Sequence, residues 1–223
     1  MLQTTKKSGI LEYNMRLNLK NIIETIKIMG EYLLPVKKLT NKFKSINSKD
    51  DLQKFIQERA AHVTQTTLYG YLKTRIGTRY TLMMEDEKFA QSVNIAKWNI
   101  YVVAISDLTF FTFSYLINNK NLKQNDADEV YLNIINQEFK NGLEREIYDN
   151  AKKKFDTKFQ IINWHDYYLN DPFKESGLAL YKWSPIADEL KILDREIVLN
   201  SIKLKWNLVK NDFKNLTKNL NFN

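Results

Sequence analysis

Arg59, His62, Thr66, Tyr69 and Lys73 stand at i, i+3, i+7, i+10 and i+14 of one segment, so in a helix they share a face. Thr67, Gly70 and Thr74 lie on the strip beside them, and Arg75 and Arg79 follow. Cations, an imidazole, a phenol and hydroxyls on one face suit a polar cavity that receives an anionic group. The solvated face of an amphipathic helix is the preferred reading, because the apolar stripe Leu52, Ile56, Ala60 and Val63 lies on another side of the helix.

Asp107 is the sharper feature. It is surrounded in the chain by Val102, Val103, Ile105, Leu108, Phe110 and Phe111. Burying a carboxylate without partners costs several kcal/mol, so Asp107 calls for a cation or several hydrogen-bond donors. Arg59, Arg75, Arg79 and Lys97 are the candidates. With them Asp107 makes either an ion pair that fixes helix register or an acid or base with a raised pKa in a site. Trp98, with Asn94 and Lys97 near it, reads as a core anchor with flanking surface groups. His165, in Asn-Trp-His-Asp-Tyr-Tyr, is a further candidate in an aromatic, irregular stretch.

The elements that must position these groups are helical. Only 6 Gly and 3 Pro occur in 223 residues, which favours few loops and long helices. Residues 1–16 read as a mobile basic arm, and from Leu17 the positions Leu19, Ile22, Ile23, Ile26 and Met29 recur at helical spacing up to a stop near Pro35. Ser48, followed by Asp50 and Asp51, predicts the start of a helix that runs to Ile76 and closes at Gly77. A short connector then leads to a helix starting near Glu85–Glu87. It is almost wholly apolar from Ile100 to Ile117, as the central helix of a bundle would be; Ser106, Asp107, Thr109, Thr112 and Ser114 argue against a membrane span.

Further helices are expected from about Asn125, weakened at Gly142 and continuing to about Ile162, and from Ser184-Pro185 to about Leu220. In the last of them Ile186, Leu190, Leu193, Ile197, Leu204 and Leu208 continue a helical stripe. Residues 163–184 should hold loops and a short helix. The expected fold is therefore an all-α bundle of about five long helices in a single domain over 17–223.

Composition narrows the function classes. The absence of Cys removes disulfides and thiolate chemistry, and two His cannot build a zinc site of several imidazoles. Neither a metal nor a cofactor is expected. Net charge is +8, but it sits at the ends, +6 over residues 1–50 and +4 over 200–223, while the middle carries −2. Only six of the 34 basic residues are Arg, and neither tail interleaves its lysines with aromatics, which reads against nucleic acid. The chain lacks a G-x-S-x-G elbow, a P-loop, a dinucleotide glycine motif and H-E-x-x-H.

Two stretches, ERAAHVTQTTLYGYLKTRIGTRY with VNIAKWNIYVVAISDL, and SPIADELKILDREIVLNSIKLKW, resemble an uncharacterised family of alphaproteobacterial-type helical proteins, some of which carry the label "esterase". The likeness covers residues 55–115 and 180–208 and implies a bacterial, cytoplasmic setting. It implies no catalytic residues, and the usual serine-esterase elbow is absent. The expected function is a helical binding or scaffold protein that engages a protein partner or forms a homo-oligomer. The alternatives are a small-molecule enzyme of hydrolase type, with a polar pocket between the two central helices, and an electrostatic binder of nucleic acid or an anionic membrane surface.

Overall fold

A computed structural model describes residues 43, 45–120, 122–218 and 220. The basic arm over 1–16 and the helix expected from Leu17 lie outside the described residues. Among those described the fold is all-α, with no strand. Five helices have 16 residues or more: α1 (Lys49–Ile76), α3 (Glu87–Lys120), α4 (Asn125–Lys140), α5 (Arg145–Ile161) and α7 (Asp188–Leu216). Two are shorter, α2 (Tyr80–Glu85) and α6 (Lys174–Trp183).

The apolar run in the sequence makes α3 the hub. Helices α1, α4, α5 and α6 all pack on it, and α7 lies outside, across α1 and α6. Among the described residues α3 alone is long and apolar enough to cross a membrane, but 78% of its apolar window is buried against the other helices. Two of its buried hydroxyls are satisfied locally: Thr109 Oγ1 donates to the Ile105 carbonyl at 2.8 Å and Thr112 Oγ1 to that of Thr109 at 3.0 Å.

Aromatic side chains lock the outer helices onto this hub. Phe155 of α5 stacks on Phe110 of α3 at 4.6 Å and on Tyr131 of α4 at 3.6 Å. On the other side Trp206 of α7 stacks on Phe173 at 4.2 Å, and Phe213 meets Phe55, Phe111 and Tyr115. Gly177 lets α6 and α7 approach closely, since a Cβ there would lie 3.3 Å from the Leu199 side chain.

The Ser48 cap forms as the sequence indicates, its hydroxyl accepting from the Asp51 amide at 3.1 Å, and Gly77 closes α1 at φ 62°. Other boundaries differ. The expected connector after Gly77 winds into a 3-10 turn and α2. Gly142, at φ 103°, separates α4 from α5 instead of weakening one helix. The apolar helix itself runs past Ile117 to Lys120.

Ser184-Pro185 does not start the last helix. The Ser184 hydroxyl turns back to the Leu180 carbonyl at 2.7 Å and closes α6, Pro185 lies in the link, and α7 begins at Asp188. The stripe Leu190, Leu193, Ile197, Leu204, Leu208 is also not the face that α7 buries. That face is Asp194, Val198, Ile202, Trp206, Val209 and Phe213, and the stripe stays open on the outside.

α1 and α7 run antiparallel, joined at one end by Arg59 to Asp212 at 2.7 Å and at the other by Arg75 to the buried Asp194. Tyr71 Oη also donates to Asp194, at 2.8 Å. Asp194→Ala should cost about 2 kcal/mol, because it removes a desolvated acceptor shared by two donors. Thermal unfolding measures the loss, and the Asp194→Asn variant should fall between it and wild type.

Candidate functional site

Asp107 is 1% exposed, at the middle of α3. Its Oδ2 accepts from the Ser176 backbone N–H at 2.8 Å and from the Ser176 hydroxyl at 2.7 Å. Ser176 lies in the first turn of α6, where amides have no intrahelical acceptor, and α6 has no side-chain cap of its own. An acid in α3 thus serves as the missing cap of another helix, and the helix dipole favours its charge. Its Oδ1 accepts from Lys158 Nζ of α5 at 3.0 Å, with Tyr167 Oη at 3.4 Å. Lys158 Nζ also contacts Tyr167 Oη at 2.8 Å, and that phenol donates to the Pro172 carbonyl at 2.8 Å.

Burial pushes the Asp107 carboxyl above the ordinary carboxylate value; the Lys158 charge and the Ser176 hydrogen bonds hold it back. Tyr167 is pushed well up, first by burial and then by the Asp107 charge. Neither shift makes Ser176 a nucleophile, since its hydroxyl is fully buried and committed to Asp107.

In front of this cluster lies a cavity of about 410 Å³ between α5 and α6, floored by α3. Asp107 and Lys158 form its inner wall, Val102, Val103, Leu178 and Trp183 give it apolar sides, and Lys154 and Lys182 line it further out.

The cations expected for Asp107 are placed elsewhere. Arg59 pairs with Asp212 and lies over the Phe43 and Phe55 rings at 5.4 and 5.6 Å. Arg75 pairs with Asp194, and Arg79 is exposed in the 3-10 turn. Lys97 is buried over the Trp98 ring at 4.7 Å, its pKa lowered to about 8 by burial against the opposing pull of Glu138.

The polar face of α1 does not converge on Asp107 either. His62 is half-buried beside Arg59 and Lys205, and desolvation first, then those cations, lowers its pKa. Tyr69 is packed against the core, its pKa raised by burial and then by Tyr80. Lys73 and Thr66 are exposed. His62 lies toward α7 and Asp107 toward α5 and α6, so the two side chains do not converge. The interface between α1 and α3 holds instead a buried network in which Gln57 and Tyr101 both donate to Glu138 of α4.

His165 is exposed and hydrogen-bonded to Asn118 at 3.1 Å; Asn118 and Ser114 hold the aromatic segment through the Trp164 carbonyl. Among the described residues no group of three or more His, Asp or Glu could hold a metal ion.

Sequence reasoning missed Lys158, Tyr167 and Ser176. Lys158 sits on an ordinary amphipathic helix among many lysines, and no spacing rule couples it to Asp107. The available signal for Ser176 was local: Asp171-Pro172-Phe173 before Lys-Glu-Ser-Gly marks a helix start close to it.

Comparison with known proteins decides nothing further. No protein-family model, curated protein or solved structure matches the chain.

Proposed function

We propose that the protein is a helical binding module that pairs with a second copy of itself through the open stripe of α7. The observation that carries this reading is the stripe: Leu190, Leu193, Ile197, Leu204 and Leu208 are 40–74% exposed on a helix whose other flank is already buried. It extends for ~27 Å at 1.5 Å per residue. An aliphatic face of that length, interrupted at its centre by Asn200 and Ser201, is costly to leave in water and is the kind of surface that interfaces use.

A second copy suits it because the stripe is nearly symmetric about Leu199. Two α7 helices laid antiparallel across a two-fold axis there set Leu190 opposite Leu208 and Leu193 beside Leu204. The flanking charges agree with the same register. Glu196, whose ion-pair partner is its neighbour Arg195, meets Lys203 of the other copy, and the axis forms that pair twice. The polar residues Asn200 and Ser201 fall at the centre, where a polar layer fixes register.

Sedimentation of the full chain should give twice the monomer mass, and Ile197→Glu should give the monomer with its helical content intact. Glu196→Lys should weaken pairing about tenfold, and adding Lys203→Glu should restore it. A wild type that is monomeric at every concentration, or a dimer indifferent to Ile197→Glu, removes the reading.

A further inference from the structure

The cavity between α5 and α6 is separate from the α7 stripe and has features of its own. α6 packs mainly on α3 and α7, and α5 on α3 and α4, rather than on each other, and so they leave a cleft above Asp107. Its volume of about 410 Å³ is in the range of small-molecule sites. Its charge is uneven. Lys158 is neutralised by Asp107, whereas Lys154 makes no hydrogen bond or ion pair among the described residues, and Lys182 lies over the Trp183 ring at 5.4 Å. Glu175 is the one other acid in the lining, so the mouth carries an excess of positive charge over apolar walls. Asn99 and Asn150 add polar groups at the rim.

We infer that this cavity binds a small organic anion, with its charged head between Lys154 and Lys182 and its apolar body against Val102, Val103, Leu178 and Trp183. The Asp107–Lys158 pair gives the inner wall a fixed, neutral polar surface. Selection between ligands therefore falls to the outer lysines for charge and to the walls for shape. A cation gains little from this arrangement, because Asp107 is fully engaged by Ser176 and Lys158 and the remaining acid, Glu175, is outnumbered by Lys154 and Lys182.

Trp183 is the most exposed of the four tryptophans and lines the cavity, so it reports occupancy. The full chain is titrated with 2-naphthoate, 2-naphthyl phosphate and 2-naphthylmethylammonium, followed by tryptophan fluorescence and by calorimetry. Both anions are expected to bind saturably, and the tighter of the two identifies the head group. Trp183→Phe should remove most of the fluorescence change while calorimetric binding persists. Lys154→Glu with Lys182→Glu, both exposed positions, should weaken the anions by about tenfold or more. Ile197→Glu should leave binding unchanged, which separates the cavity from the stripe. No saturable binding of either anion, binding of the ammonium as tight as that of the anions, insensitivity to the lysine reversals, or loss on Ile197→Glu each overturns the assignment.

Discussion

Lys158→Met lowers the unfolding free energy by about 3 kcal/mol at neutral pH, because it leaves a buried carboxylate without its cation. The deficit also depends on pH, and its direction follows from the raised pKa of Asp107. The folded state holds that proton more tightly than the unfolded chain. The group therefore favours folding below the unfolded value of about 3.9 and opposes it as pH rises through the raised folded value. Lys158 limits that loss by stabilising the ionised form.

In the Lys158→Met variant the folded pKa rises further, so the deficit is greatest at neutral pH and narrows as the pH falls and Asp107 becomes neutral. Urea unfolding at neutral and mildly acidic pH measures both quantities. A deficit below about 1 kcal/mol, or one that is flat with pH, contradicts the central place given to this ion pair.

Trp206→Ala costs about 3–5 kcal/mol and lowers the melting temperature by roughly 10 °C. The indole is 1% exposed and stacks on Phe173, the residue that leads into α6. Removing it empties the joint between α7 and α6, and Ser176 sits in the first turn of α6, so the loss reaches the support of Asp107. Trp206→Phe, which keeps an aromatic face against Phe173, should retain most of the stability. Equal losses in the two variants would show that Trp206 does not act through this stack.

The fold was legible where one local signal decided the outcome. The hydroxyl of Ser48, the glycine at position 77 and the apolar run from Ile100 each act within a few residues, and the structure follows them. Ser184-Pro185 has the same local form and the opposite outcome, because the serine found an acceptor in the preceding turn of α6. The α7 stripe shows a different limit: periodicity tells that Leu190, Ile197 and Leu204 share a face, but not which of two apolar faces meets the rest of the chain. Trp206 and Phe213, the larger side chains, took the inside.

At the candidate site the need of Asp107 for partners was readable from its apolar neighbours. Their identity was not, since Lys158 is 51 residues away and Ser176 69. Only the packing of α5 and α6 on α3 brings them together. The polar face from Arg59 to Lys73 had helical spacing in its favour, but its members part company: Arg59 pairs with Asp212 of α7, Tyr69 packs on the core, and Thr66 and Lys73 are exposed.

Pairing through α7 can be read directly because the chain has no cysteine. Asn200→Cys puts a thiol next to the proposed two-fold axis, within reach of its own copy. Under mild oxidation this variant should run almost entirely as a disulfide-linked dimer, whereas Leu190→Cys alone should stay largely uncrosslinked and form a mixed dimer when combined with Leu208→Cys. Failure of Asn200→Cys to crosslink, with Leu190→Cys linking readily to itself, would contradict antiparallel pairing of the stripe.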